Sequence, residues 1–133
     1  QEASLLSGEE FEVFVAAVLQ SHGFVEARIT GQRGDEGIDI ETVELVDGKR
    51  VKGFVQCKRF KPNATVAFHH VAATAGVFMA HKKFLVGRII TTSKFTKSAQ
   101  DFASRVKLAG RKLTLVNGMQ LLHQWLLDKP DTI

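Results

Sequence analysis

The stretch Ile38-Asp39-Ile40-Glu41-Thr42-Val43-Glu44-Leu45-Val46-Asp47-Gly48-Lys49-Arg50-Val51-Lys52-Gly53-Phe54-Val55-Gln56-Cys57-Lys58-Arg59 decides how this chain folds. From Ile38 to Val46 apolar residues interleave with acidic ones, a pattern that suits a strand. Asp47-Gly48 is a hairpin turn, because both residues tolerate the positive φ that a two-residue connection demands. Val51–Arg59 is the return strand, with Phe54 and Val55 at its centre. Asp39 lies eight residues before Asp47 and Gln56 eight after Gly48, so the hairpin brings them close. Side chains alternate along a strand, so Ile38 and Ile40 are expected to share the core face and Asp39 to point the other way. By the same alternation Gln56 and Lys58 project together while Cys57 turns opposite. A carboxylate, an amide oxygen and a cation therefore converge at the open end of the hairpin. Taken singly, Asp39 reads as a solvent-facing strand residue, and Cys57 reads as a small core side chain rather than a nucleophile.

Working outward, Ser7 with Glu10 three residues on forms a capping box. Phe11, Phe14, Val15, Val18 and Leu19 follow at helical spacing and Gly23 stops the run, giving a helix over 8–22. Glu9 and Glu10 serve the helix start. Glu12 sits at the edge of the buried stripe, and its local and functional readings balance. A short strand is expected at 24–29, then a glycine-rich loop at 31–37. Beyond the hairpin the spacing predicts a helix over 66–82 and a covered strand over 84–92. A helix capped by Thr96 follows, running to about Leu108, then a strand over 113–116 and a last helix over 119–127 with Trp125 in the core. The order αβββαβαβα implies an α/β fold, a mixed central sheet flanked by helices.

Of the 133 residues, 44% are hydrophobic and 24% charged, which excludes a disordered chain. No apolar run reaches the ~18 residues a membrane span needs. No repeat or linker divides the chain, so residues 1–133 are read as one domain. The missing initiator Met suggests a piece of a longer polypeptide. A single cysteine, Cys57, forms no internal disulfide, nothing suggests an oxidising compartment, and an intracellular, cytoplasmic setting is expected. Residues 1–48 carry eleven acidic and two basic side chains, residues 49–133 sixteen basic and three acidic, which together make the net +4. This split reads either as two solvated faces or as an acidic cluster facing a polyanion that basic residues hold.

Oxygen donors without His or Cys support point to a hard cation, Mg²⁺, with Mn²⁺ able to substitute. A hard cation beside an ammonium group suits attack of water on a phosphodiester, with Lys58 orienting or deprotonating the nucleophile. Thr91, Thr92 and Ser93 precede the Thr96-capped helix and either contact a phosphate or only cap. Lys94, Lys97, Arg105, Lys107, Arg111 and Lys112 are read as a backbone-tracking surface, in part, and His69 and His70 as structural or surface residues.

Asp39, a gap of sixteen residues and Gln56-x-Lys58 resemble the PD-(D/E)xK nuclease signature in its D…QxK variant. The wider text is similar to the Mrr-type restriction endonuclease family. It does so through Ser7-Gly8-Glu9-Glu10-Phe11-Glu12, Gly34-Asp35-Glu36-Gly37-Ile38-Asp39, Val55-Gln56-Cys57-Lys58-Arg59-Phe60 and Ile89-Ile90-Thr91-Thr92-Ser93-Lys94-Phe95-Thr96 with Ala99 and Ala103. Leu115-Val116-Asn117-Gly118 and Leu121-Leu122 close the match. The resemblance implies a restriction-endonuclease-like core and metal-dependent cleavage of double-stranded DNA, modified DNA included, with a recognition domain elsewhere in the parent chain. Asp39 would be the central metal ligand, Gln56 the stand-in for the second acid, Lys58 the catalytic lysine and Glu12 the helix-one acid, acting directly or through water. The Cys57 backbone carbonyl would complete the metal site. Arg33, Arg59 and Lys61 join Thr92, Ser93 and Lys94 as candidates to touch the DNA backbone. Asn117 stands where Asp is common, Ile38 where Pro is nominal, and Asp35 is read as ordering its loop. A homodimer is left open. A Holliday-junction resolvase-like nuclease and a catalytically degenerate DNA-binding module are the rival readings.

Overall fold

In the computed structural model, residues 6–31, 38–61 and 63–127 are described. Helix α1 spans Gly8–Ser21, and its start is the expected capping box. Ser7 Oγ accepts from the Glu10 N–H at 3.1 Å while Glu10 Oε1 accepts from the Ser7 N–H at 2.8 Å. Strands β1 (Glu26–Ile29), β2 (Ile40–Val46) and β3 (Lys49–Lys58) form an antiparallel meander. Val46 faces Lys49 across the turn, where Asp47 has φ 53° and Gly48 φ 79°, as a type I′ connection requires. β5 (Val86–Thr91) runs parallel to β3, and β7 (Lys112–Val116) parallel to β5, so the five-stranded sheet is mixed, in the order β1-β2-β3-β5-β7. Helices α2 (Phe68–Ala80) and α3 (Lys97–Arg105) supply the connections between the parallel strands.

The sheet separates two cores. On one face Phe11, Val15 and Leu19 of α1 pack on Ile40, Val55, Ile90 and Val116. On the other, Val71, Ala75 and Phe78 of α2 and Ala99 of α3 pack on Phe54, Ile89 and Leu113. Phe54 and Phe78 meet edge to face at 5.1 Å, and Gly87 makes room for them, since a Cβ there would come within 2.7 Å of the Phe54 ring. Arg88 of β5 reaches Glu44 of β2 at 2.8 Å. β3 lies between those strands, and at Gly53 it adds no side chain to that face.

The expected order of main elements holds, with adjustments. Two short strands, β4 (Thr65–Val66) and β6 (Lys94–Phe95), pair with each other in parallel apart from the main sheet. Val66, expected to open a helix, therefore lies in β4, and α2 starts at Phe68. Two-residue strands carry no periodic signal, and their pairing depends on a partner some thirty positions away in sequence. α3 ends at Arg105 because Val106 is extended, at φ −63° and ψ 139°. Ala109 and Gly110 then turn with positive φ, and Leu108 returns to the core. α4 begins at Gly118 under an Asn117 capping box and continues from Leu121 to Leu127 as a π-helix. Asn in place of Asp costs this start nothing, since both cap equally well.

Candidate active site

Asp39 lies immediately before β2, at the end of the sheet where the parallel strands β3 and β5 reach their carboxyl termini. Open α/β sheets place ligands at that end. The β2–β3 register runs from Val46↔Lys49 to Ile40↔Val55, and one further step would set Asp39 opposite Gln56, as counted from the turn. The main chain departs from the ladder at that step. The Asp39 N–H donates to the Val55 carbonyl at 3.0 Å, one residue out of step, and Asp39 Oδ2 accepts from the Cys57 N–H at 2.7 Å. On its other side the Asp39 carbonyl accepts from the Thr30 N–H at 3.0 Å. A side-chain oxygen thus does the work of a strand carbonyl, and the carboxylate is held by a backbone that is itself tied to both neighbouring strands.

This departure corrects one expectation. Ile38 packs with Phe54 and Phe78 on the α2–α3 side, whereas Ile40 packs with α1 on the opposite side. Strict alternation does not survive a residue whose hydrogen bonding slips by one, so the two isoleucines do not share a face.

Gln56 points toward α2, 8% exposed, with its Oε1 set against the Thr74 hydroxyl. Lys58 is half-buried on the same side, near enough to His70 to bear on its charge. Cys57 turns to the α1 core. Burial pushes its thiol well above the usual range, and the carboxylates of Asp39 and then Glu12 push it further. Both acids therefore bear on one point. Glu12 is only 6% exposed, among the buried residues of α1 rather than at the margin of its stripe.

Other expected contacts are distributed differently. Arg33 and Asp35 lie outside the described residues. Arg59, Lys61 and Lys94 are exposed around this end of the sheet. Thr92 Oγ1 donates to the Phe60 carbonyl at 2.5 Å and accepts from the Phe60 N–H at 3.0 Å. Ser93 Oγ donates to the Ala64 carbonyl. These hydroxyls brace the exit of β3 against the exit of β5. Arg111 is no surface cation: it donates to the carbonyls of Phe78, His81 and Phe84 and lies 4.4 Å over the Phe78 ring. Sequence reasoning passed over Thr74 and assigned His70 no part. Their i, i+4 spacing on the helix after Gln56-x-Lys58 was the available signal. The His70 ring accepts from the Ala67 N–H at 3.0 Å and meets Phe60 edge-on, and its pKa is lowered, first by burial, then by His69 and Lys58.

The donor set fits a hard cation. Asp39, Glu12, the Gln56 amide and the Cys57 carbonyl all offer oxygen, the donor type that a hard cation takes. Among the described residues no three His, Cys, Asp or Glu side chains cluster as a metal site, so the amide, the carbonyl and water would have to supply the remaining positions.

A family model described as a restriction endonuclease, the Mrr catalytic type, matches residues 3–125. The chain belongs to this Mrr-type restriction endonuclease family. Membership makes it a nuclease domain. The Type IV methyl-directed restriction enzyme EcoKMrr of Escherichia coli (strain K12) is 37% identical over an alignment of 122 positions that covers 89% of this chain and 38% of that protein. Two solved structures share the fold. The MspJI restriction endonuclease, in complex with a 27-mer oligonucleotide, aligns with a TM-score of 0.62 at 19% identity, over 92% of this chain and 29% of its own. The DNA modification-dependent restriction endonuclease AspBHI aligns with 0.64 at 20%, over 86% and 30%. This Mrr-type chain spans well under half the length of each. No helix among its described residues is long and apolar enough to cross a membrane.

Proposed function

We propose that this chain is a divalent-cation-dependent endonuclease domain hydrolysing phosphodiester bonds of double-stranded DNA, the cleavage module of an intracellular restriction system. One observation carries the reading: Asp39 grips the Cys57 N–H while buried Glu12 bears on the same residue, with Gln56 and Lys58 on either side of it. Asp39, the Gln56 amide oxygen and the Cys57 carbonyl would hold the cation, with Glu12 acting directly or through water. Mg²⁺, or Mn²⁺ in its place, would supply Lewis-acid polarisation of the scissile phosphate and a more acidic water. Lys58 orients the attacking water and offers its ammonium to the charge that builds on the phosphorane. The Cys57 thiol is protonated and is no nucleophile.

Exposed Arg59, Lys61 and Lys94, joined by Arg33, would hold the DNA backbone, and Thr92 and Ser93 would position the segment they brace. Such phosphate contacts fix register without reading sequence, so binding should be weak and steeply salt-dependent. Residues 1–133 form one domain in this reading, and the reader of sequence or modification lies elsewhere in the parent polypeptide. Two of the relatives, one methyl-directed and one modification-dependent, favour modified DNA as substrate. Cutting both strands takes two such sites, which a homodimer supplies.

Plasmid, modified and unmodified, should be nicked and linearised with Mg²⁺ or Mn²⁺ and left intact with Ca²⁺ or EDTA. Cleavage in EDTA, or none of either plasmid with any cation, would overturn the proposal.

A further inference from the structure

Thr74 is 2% exposed on α2, and its hydroxyl is in contact with the end of the Gln56 amide. The same Oγ1 lies 3.2 Å from the His70 carbonyl one turn back along the helix. Each contact needs a proton between its heavy atoms, and a threonine hydroxyl has one to give. With the Gln56 oxygen facing Thr74, three oxygens would share that single proton. With the amide turned through half a revolution, its NH₂ donates to Thr74 Oγ1 and the hydroxyl donates to the His70 carbonyl, so both contacts are matched. The two ends of an amide occupy nearly the same space, so the hydrogen-bond network selects the orientation. A hard cation accepts only the oxygen end.

We infer that Thr74 is a positioning residue: it takes a hydrogen bond from Gln56 Nε2 and passes its own to His70, turning the Gln56 carbonyl oxygen away from α2 and toward Asp39 and the Cys57 carbonyl. This rests on the cation site proposed above. α2 thereby sets which end of a strand side chain faces the reacting centre. A glutamine, unlike the glutamate or aspartate more usual at its position in the signature, needs such a device, because only one of its two terminal atoms is a ligand.

The test combines a spectrum with a binding cycle on the 133-residue chain. In the nuclear magnetic resonance spectrum of the wild type, one Gln56 side-chain amide proton should exchange slowly and show a cross-peak to the Thr74 methyl. No cross-peak, with both protons exchanging freely, overturns the orientation. By calorimetry with Mn²⁺ alone, Thr74→Val should weaken binding roughly tenfold, as expected for a group that orients a metal ligand. Thr74→Ser should bind as the wild type does. In a Gln56→Glu background Thr74→Val should change affinity by less than about twofold, because either carboxylate oxygen can serve and the coupling disappears. Equal loss in both backgrounds, or no loss in the first, overturns the role. Should Thr74→Val not fold, Thr74→Ser and the wild-type spectrum still decide. Mn²⁺ binding that is absent in the wild type, or unchanged by Asp39→Asn, removes the cation site itself, while the spectrum judges the amide separately.

Discussion

At the closed end of the β2–β3 hairpin Val46 faces Lys49 in a regular ladder, Asp47 and Gly48 turn with positive φ, and Leu45, Val46, Lys49 and Arg50 are exposed. At the open end the ladder slips at Asp39, a carboxylate oxygen takes the Cys57 N–H, and Gln56 and Cys57 are held between helices. The closed end is held by main-chain pairing, in a geometry any Asp-Gly hairpin adopts. The open end uses side chains to hold main chain, at the end of the sheet where open α/β folds place ligands. Local rules are kept at the closed end and broken at the open end, where the proposed site lies, as expected where folding is not the only demand on the residues.

Damage to the open end should abolish function without abolishing the fold. Asp39→Asn keeps an acceptor for the Cys57 N–H, and Lys58→Ala removes a half-buried amine. Each should retain the wild-type circular dichroism spectrum and cost about 10²–10³ or more in cleavage rate, as loss of transition-state electrostatics does. More than about a tenth of wild-type activity in either variant would take that residue out of the mechanism. Glu12→Gln tests the same end from α1. It should lower activity about tenfold and raise the Mg²⁺ concentration for half-maximal cleavage, with Mn²⁺ restoring part of the rate. Wild-type cleavage at an unchanged Mg²⁺ requirement would leave Asp39, Gln56 and Lys58 alone in the site.

The closed end predicts the converse. Gly48→Ala forces a Cβ into φ 79° and should cost roughly 1–2 kcal/mol, read as a lower urea midpoint. Activity per folded molecule should stay as it was. A large loss of activity with little change in the midpoint would mean that the hairpin's two ends are not separable.

The smallest effect belongs to Cys57. Its pKa is raised in the fold, so the native state keeps the thiol protonated after the unfolded chain, near pH 8.5, has begun to ionise. The stability this protonated thiol leaves undisturbed is fully present below that pH and declines as pH rises beyond it. A disulfide reagent at pH 8 should label the native chain far more slowly than the chain in guanidinium. Equal labelling rates would show the thiol to be open.

Much of the candidate site was readable in the sequence because it depends on short spacings. The distance of Asp39 and of Gln56 from a recognisable turn is arithmetic, and the turn type sets the register. Glu12 was only half legible. Periodicity placed it beside the stripe of Phe11 and Val15, but its burial depends on how closely α1 lies on Cys57 and Val55. Arg111 was misread for a related reason. A cation in a basic stretch looks like surface, and nothing local reveals three carbonyls from the end of α2 and the turn after it gathered around its guanidinium.

The sequence alone determined the capping box at Ser7, the turn at Asp47-Gly48, the alternation of helices and strands, and the placing of Asp39 at the same end of the hairpin as Gln56 and Lys58. All of these follow from contacts within one turn of helix or across one hairpin, where residue identity and spacing leave few choices. Only the tertiary structure decided that Asp39 slips the ladder and divides Ile38 from Ile40 between two cores. The same holds for the pairing of β4 with β6 and for Thr74 of α2 meeting Gln56. Those outcomes are settled by where separate elements dock, a balance of packing and hydrogen bonding summed over distant residues that no single stretch of sequence contains.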